Sequence, residues 1–131
     1  MSILKKFEGF TIWSENYKEL AKWYEEKFEL KRALELNMPE DVTIAFEIEP
    51  GNDMMLWIGQ HSEVHGKNKD TNRQMISYFV DDVYKDYEIL NSRGVEFILK
   101  PKASPDGSLN VATAIDPEGN LIQLFSKPFQ D

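Results

Sequence analysis

The chain has 131 residues, 41% hydrophobic and 12% aromatic, which is enough to bury roughly two-thirds of its unfolded surface in one compact domain. A formal net charge of −8 repels phosphate backbones and anionic headgroups, so neither nucleic-acid nor membrane partners are expected. With no cysteine, disulfides and thiol chemistry are excluded. No apolar run reaches the ~18 residues of a membrane span, and no signal-peptide core is present, so a cytoplasmic location is predicted.

The first half of the chain is predicted to form one strand, one helix and three further strands. The predicted strands cover residues 7–14, 31–36, 44–48 and 54–58, the third of them with clear alternation. Between the first two strands, apolar residues recur at helical spacing over 17–28, and Ser14 or Asn16 is available as the N-cap. The first half therefore has the order βαβββ.

The second half repeats this order after a polar connecting loop at residues 60–73. Its helix has Asp81 and Asp82 as the N-cap region and Gly94 as the C-terminal stop. The predicted strands cover residues 75–80, 95–99, 110–115 and 121–126, with a turn at 101–108 that carries Pro and Gly. The second half is βαβββ again.

A short phrase near the end of each half supports a duplication. Glu49-Pro50-Gly51-Asn52 and Asp116-Pro117-Glu118-Gly119-Asn120 each precede a short apolar strand. The chain is therefore predicted to be α+β and a single domain, with repeats at 1–59 and 74–131 joined by 60–73. In a duplicated half-domain, the functional cleft is expected where the two repeats meet.

Four segments in this order resemble the vicinal oxygen chelate superfamily, which includes glyoxalase I, extradiol dioxygenases and the fosfomycin- and bleomycin-resistance proteins. The segments are Trp23-Tyr24-Glu25-Glu26-Lys27-Phe28-Glu29-Leu30, Tyr78-Phe79-Val80-Asp81-Asp82-Val83, Arg93-Gly94-Val95-Glu96-Phe97 and Asp116-Pro117-Glu118-Gly119-Asn120. They span nearly the whole chain. One departure is Glu29, where the family commonly has Gly.

The resemblance implies that each repeat forms a curved mixed sheet around a cleft, with the helices on the outer face. It also implies a divalent metal in the cleft, held by His and Glu side chains from the first and last strand of each unit. The matching positions here are Phe10, Met55, Met75 and Gln123. An aromatic ring has no lone pair for a hard cation, and a thioether is soft and uncharged, so Gln123 alone retains a suitable donor atom. Neither a metal nor another cofactor is therefore expected.

The same strand register predicts an apolar lining for the cleft. If the four matched positions face it, strand alternation places Ile12, Trp57, Ser77, Phe79 and Phe125 on the same side, with Trp13, Leu56 and Tyr78 among the residues that face the helices. The candidate ligand-binding residues are Phe10, Met55, Trp57, Met75, Phe79, Gln123 and Phe125. The alternative is that these side chains collapse onto one another as ordinary core.

The two histidines lie close together in the connecting loop, as His61-Ser62-Glu63-Val64-His65. On a helix, this i, i+4 spacing would present both imidazoles on one face, and Glu63 could add a carboxylate to form a zinc site. The segment has no helical apolar stripe. Solvent-exposed loop histidines are therefore the favoured interpretation.

Two classes of function remain open. The preferred one is a metal-free protein that binds a small aromatic or cationic molecule, similar in plan to bleomycin-resistance proteins and expected to be a homodimer. The alternative is a lyase, isomerase or dioxygenase of the glyoxalase type, with carboxylates such as Glu47 or Glu49 reaching the cleft. A module that serves only as a scaffold is a third possibility, and an occluded cleft would support it.

Overall fold

The computed structural model describes residues 2–39 and 41–128, in two compact units that divide after Gly66. The first unit contains β1 (Gly9–Trp13), α1 (Tyr17–Phe28), β2 (Lys31–Met38), β3 (Asp41–Glu47) and β4 (Met55–Gly59). The second contains β5 (Met75–Phe79), α2 (Val83–Ser92), β6 (Glu96–Ala103), β7 (Asn110–Ile115) and β8 (Leu121–Ser126), and a short 3₁₀ turn at Thr71–Arg73 precedes β5.

Each unit has one four-stranded mixed sheet with the same topology. The strand order is β1-β4-β3-β2 in the first unit and β5-β8-β7-β6 in the second. The β1–β4 and β5–β8 pairs are parallel, while the other pairs are antiparallel. The predicted α+β class with two βαβββ units is confirmed.

One face of the first sheet supplies most of that unit's core. Its buried side chains are at most 6% exposed and belong to Ile12, Ile44, Phe46, Leu56 and Ile58. Helix α1 contacts β4 and buries Leu20, Ala21 and Tyr24. Burial of each such side chain contributes about 1.5 to 3 kcal/mol, so this face holds the helix on the sheet.

The second unit is built in the same way. Helix α2 buries Val83 and Leu90 and contacts β6, β7 and β8. On the sheet, Ala112, Ala114, Ile122 and Leu124 are at most 1% exposed. At the start of α2, the Asp82 carboxylate accepts hydrogen bonds from the backbone N–H groups of Tyr84 and Lys85, which confirms the predicted N-cap.

Three local predictions need correction. Pro101 lies inside β6 instead of in the following turn, and β6 accommodates it because it is an edge strand with an irregular register between Leu99 and Lys102. Strand β3 ends at Glu47, so Ile48 lies beyond it. Asn16 is the N-cap residue of α1, but its side chain does not cap the first turn.

No helix among residues 2–39 and 41–128 is long and apolar enough to cross a membrane.

Candidate ligand-binding sheet faces

The two units are equivalent at a fixed spacing. Strands β5 and β8 and helix α2 begin at residues 75, 121 and 83, each 66 residues after β1, β4 and α1, which begin at 9, 55 and 17. Met75 is therefore equivalent to Gly9, Ser77 to Thr11 and Gln123 to Trp57. Since paired residues of neighbouring strands point to the same side of a sheet, this spacing also shows which side chains share a face.

In the second unit, the predicted register is correct. Ser77 pairs with Gln123 and Phe79 pairs with Phe125, so Met75, Ser77, Phe79, Gln123 and Phe125 share one face. The opposite face carries Ile122 and Leu124, which are 1% exposed. The structure thus brings four of the predicted ligand-binding residues together on one sheet.

This face combines an aromatic surface with a polar centre. The Phe79 and Phe125 ring centroids are 6.1 Å apart with an interplanar angle of 43°, and Phe79 is 72% exposed. Beside them, the Ser77 hydroxyl donates to Gln123 Oε1 at 3.5 Å. That contact occupies the amide oxygen and leaves the amide nitrogen, a donor of two hydrogen bonds, facing the same side as the rings. The face can hold a planar ring and fix its orientation.

In the first unit, the predicted face of β1 is wrong. Phe10 pairs with Leu56, so it lies on the face of the buried side chains and not with Met55 and Trp57. The β1 residues that share the Met55 and Trp57 face are Gly9, Thr11 and Trp13. Phe10 therefore leaves the candidate set, while Met55 and Trp57 remain together as predicted.

Trp57 has an unusual polar environment. Its Nε1 atom is buried, yet no residue in the described ranges 2–39 and 41–128 accepts a hydrogen bond from it. An unsatisfied buried donor costs about 1 to 3 kcal/mol, unless a water or a ligand supplies the acceptor. The indole ring is otherwise an extended apolar surface, and because the residue is only half-buried, part of the side chain offers stacking area.

A carboxylate also lies on this face. Glu47, the last residue of β3, pairs with Met55, and Ala45 pairs with Trp57, so all four residues point to the same side. The side chain of Glu47 is partly buried. Sequence reasoning named Glu47 as a possible carboxylate but could not assign its face, because that assignment depends on the antiparallel register between β3 and β4.

The strand positions that the resemblance matches to metal ligands offer few donor atoms to a divalent cation. The sequence match gave these positions as Phe10, Met55, Met75 and Gln123. The 66-residue equivalence moves the first two to Gly9 and Trp57, so the four positions provide one amide oxygen and no charged donor. A Cβ atom on Gly9 would clash with the carbonyl oxygen of Met55, so this backbone leaves no room for a ligating side chain there. In the described part of the chain, no group of three or more His, Asp or Glu residues could hold a metal ion.

The two loop histidines have separate environments. His61 packs edge-on against Trp13 with ring centroids 5.4 Å apart, and its Nδ1 accepts the backbone N–H of Glu63 at 3.1 Å. His65 Nδ1 lies 3.4 Å from Glu15 Oε2. Because the segment is not helical, the i, i+4 geometry on which the zinc hypothesis depends does not form.

A surface depression of about 340 Å³ lies elsewhere in the first unit, where α1 begins. Its lining is polar and comes from residues 15–19 and Gln60. Glu15 at its rim accepts the Gly66 backbone N–H at 2.8 Å, and this bond, with the His65 contact, lowers the pKa of Glu15. None of the predicted ligand-binding residues lines this depression, and its polar walls do not suit an apolar ligand.

Comparison with known proteins settles the family. A family model described as the Glyoxalase/Bleomycin resistance protein/Dioxygenase superfamily matches residues 6–124. The chain belongs to this superfamily. No curated protein sequence matches the chain.

Solved structures of the superfamily share the fold. A superfamily member from Sphaerobacter thermophilus superposes with a TM-score of 0.78 at 19% identity, over 96% of this chain and 100% of that chain. A glyoxalase I mutant from Zea mays superposes with a TM-score of 0.79 at 22% identity, over 95% of this chain and 46% of that chain. An antibiotic-binding protein from Streptomyces sp. CB03234 superposes with a TM-score of 0.74 at 18% identity, over 98% of this chain and 100% of that chain. At such identities, these likenesses establish the fold alone.

Proposed function

We propose that this superfamily member binds a small aromatic or cationic molecule without a metal ion. The observation that carries the proposal is the second sheet face, where exposed Phe79 lies beside Phe125 and next to the amide of Gln123. A planar ligand on these rings would gain stacking and apolar burial, while the amide would fix its orientation. The similarity to an antibiotic-binding protein is in line with this class of function.

The first sheet face supports the cationic form of this ligand. Trp57 provides an aromatic face, and Glu47 provides a negative charge on the same side of the sheet. A cation over an indole ring gains about 0.5 to 2 kcal/mol, and a partly buried carboxylate adds a charge-assisted contact. The chain's net charge of −8 would also raise the local concentration of cations.

The first test is a titration of the purified protein with two tricyclic probes, cationic N-methylacridinium and neutral 9-fluorenone, monitored by calorimetry. Phe79→Ala should weaken binding of both probes to the second sheet face by about 1 to 3 kcal/mol and leave the fold intact. Trp57→Ala should weaken their binding to the first sheet face by a similar amount and also leave the fold intact. The control is Tyr84→Ala, which removes an aromatic side chain that is 45% exposed on α2 and off both candidate faces. Wild-type protein that binds neither probe would refute the proposal.

Charge recognition is tested with a matched pair of glutamates. Glu47→Gln should lower the affinity for N-methylacridinium about 5- to 10-fold and leave that for 9-fluorenone unchanged, because only the cation needs the carboxylate. Glu49→Gln is the control, since Glu49 is exposed and its carboxylate accepts from Asn52 Nδ2 at 3.0 Å. An equal loss of N-methylacridinium affinity in the two variants would mean that the effect comes from net charge and not from this sheet face.

The enzymatic alternative predicts stoichiometric metal binding, whereas the metal-free proposal predicts none. Titration of Ni, Zn, Mn and Fe(II) into chelator-treated protein should give no stoichiometric binding heat if the strand positions cannot hold a divalent cation. Near-stoichiometric binding would contradict the ligand-position argument and favour glyoxalase-type chemistry.

A further inference from the structure

A line of polar side chains crosses the second sheet face. Ser77 on β5 pairs with Gln123 on β8, and Gln123 pairs with Thr113 on β7. Because paired residues of neighbouring strands point to the same side of a sheet, the three side chains lie next to one another across three strands. Ser77, Gln123 and Thr113 are here called the polar row.

The polar row lies between two apolar rows of the same face. The strand register places Phe79, Phe125 and Val111 on one side of it and Met75, Leu121 and Ile115 on the other. At the β5 edge, Phe79 and Met75 are 72% and 45% exposed, so a ligand can reach the face from there. A planar molecule large enough to cover the phenylalanine rings and an adjacent row would therefore also cover Gln123.

The orientation of the Gln123 amide is fixed within the polar row. The Ser77 hydroxyl donates to Gln123 Oε1 at 3.5 Å, which leaves the amide nitrogen for the ligand. An amide nitrogen donates two hydrogen bonds and accepts none. A ligand that covers it without offering an acceptor removes its hydrogen bonds to water and leaves the donor unsatisfied, which disfavours binding.

We propose that the polar row selects planar aromatic molecules that carry a hydrogen-bond acceptor, such as a ring carbonyl, over molecules of the same shape that carry a donor or no polar atom. Gln123 donates to the acceptor. Ser77 is a positioning residue, which keeps the amide nitrogen available to the ligand. The inference rests on the proposed function, which requires an aromatic ligand but does not specify its polar atoms.

Three tricyclic probes of nearly the same shape test this selection by equilibrium dialysis. 9-Fluorenone has an acceptor at its central ring, carbazole has an N–H donor there, and fluorene has a methylene group. Wild-type protein should bind 9-fluorenone about 5- to 10-fold more tightly than either of the others, as expected for one hydrogen bond. The same series in Trp57→Ala protein reduces the contribution of the first sheet face.

The probe series separates this inference from the proposed function. Equal affinities for the three probes, or a preference for carbazole or fluorene, would overturn the selection but leave aromatic binding in place. Wild-type protein that binds none of them would refute the proposed function and the inference together.

Gln123→Glu should reverse the preference. A carboxylate can still accept from the Ser77 hydroxyl, but it has no N–H, so the variant should bind carbazole about 5- to 10-fold more tightly than 9-fluorenone. The control is Gln74→Glu, which makes the same charge change at an exposed residue just before β5 and should keep the wild-type order. A Gln123→Glu protein that still prefers 9-fluorenone would overturn the inference.

The role of Ser77 is tested by a ratio of affinities. Ser77→Ala frees the amide to present either its oxygen or its nitrogen, so the preference for 9-fluorenone over carbazole should fall to about 2-fold or less. Ser77→Thr retains a hydroxyl and should restore the wild-type ratio. If Ser77→Ala weakens both probes equally and leaves the ratio unchanged, Ser77 does not orient the amide.

Nuclear magnetic resonance of isotope-labelled wild-type protein gives a direct readout that does not depend on the folding of any variant. The side-chain amide protons of Gln123 should shift further downfield with 9-fluorenone than with fluorene, because only the ketone accepts a hydrogen bond from them. Equal shifts with the two probes would show that the amide makes no such bond, and would overturn the inference.

Discussion

The two units have the same topology, but their equivalent turns differ in burial. The turn before β4 is exposed, and the turn before β8 is buried. In the first, the turn before β4 lies in solvent, with the Asn52 N–H bonded to the Glu49 carbonyl at 3.0 Å and the Glu49 side chain exposed. In the second, Asp116 at the equivalent turn is 4% exposed, and its carboxylate accepts from the backbone N–H groups of Glu118 and Asn120 at 2.8 and 2.9 Å. The same sequence phrase is thus a surface turn in one unit and part of the core in the other.

The repeated sequence phrase therefore has a different structural role in each unit. Gly119 has a φ of +85°, and a Cβ atom there would lie 2.9 Å from the Asn68 carbonyl oxygen, whereas a Cβ on Gly51 would meet nothing within 4 Å. The Asn68 N–H also donates to the Glu118 carbonyl at 2.8 Å. The segment that precedes β5 therefore packs on the second turn, and this packing explains why that turn is buried.

Loss of the buried Asp116 carboxylate should destabilise the protein more than any other change considered for these turns. Asp116→Ala should lower the free energy of unfolding by about 3 to 5 kcal/mol, because it leaves two backbone N–H groups and the Asn120 side chain without their acceptor. Glu49→Ala, the equivalent change in the first unit, should stay within about 0.5 kcal/mol. Urea unfolding of both variants measures the difference. Equal losses of unfolding free energy in the two variants would show that the two turns contribute equally to stability.

The strand positions show how far the sequence can predict the fold. Strands β7 and β8 match their predicted bounds, Asn110–Ile115 and Leu121–Ser126, because Asp116-Pro117 and Gly119-Asn120 separate them clearly. The boundaries of α1 and the cap of α2 were also predictable, since helical spacing and Asp82 are local signals. These features depend on neighbours within a few residues, which a sequence displays directly.

The face of β1 was not predictable for a physical reason. Phe10, Ile12 and Trp13 are all large and apolar, so alternation does not indicate which side of the strand is buried. In β5, by contrast, the polar Ser77 marks the face opposite the buried Ile122 and Leu124. The pairing of Phe10 with Leu56 joins strands 46 residues apart, and only that pairing shows that Phe10 belongs to the core face.

The candidate site was predictable in part for the same reason. Met75, Phe79, Gln123 and Phe125 follow from alternation in two well-marked strands, and the structure places them on one face. The position of Glu47 depends on the register between β3 and β4, and the isolated Nε1 of Trp57 depends on the packing around one atom. Neither has a local sequence signal.

Substitutions at Gly119 and Gly51 distinguish the energetic cost of backbone strain from the cost of steric clash. Gly119→Val should lower the free energy of unfolding by about 2 to 3 kcal/mol, since valine resists a positive φ and its Cβ would approach the Asn68 carbonyl. Gly51→Val has a similar φ of +81° but open space around it, so it should cost about 1 to 2 kcal/mol. Thermal unfolding of both variants measures the difference. A Gly119→Val protein with unaltered melting would contradict the turn geometry described here.

The smallest effect concerns the ends of the helices, where the units differ again. Helix α1 ends at Glu29 in the left-handed conformation, with φ 57° and ψ 42°, while α2 is followed by Gly94 at φ +85°. Glu29→Gly should raise the free energy of unfolding by about 0.5 to 1 kcal/mol, because glycine adopts this conformation without the steric cost of a Cβ. Gly94→Ala should lower it by about 1 kcal/mol for the same reason.

A third variant distinguishes conformation from side-chain chemistry at this position. Glu29→Ala removes the carboxylate but retains the Cβ, so it should be about 0.5 to 1 kcal/mol less stable than Glu29→Gly in parallel urea titrations. If the glycine and alanine variants have the same stability, the left-handed backbone at Glu29 imposes no cost. The interactions of the carboxylate would then account for any change, and the two helix ends would be energetically alike despite their different residues.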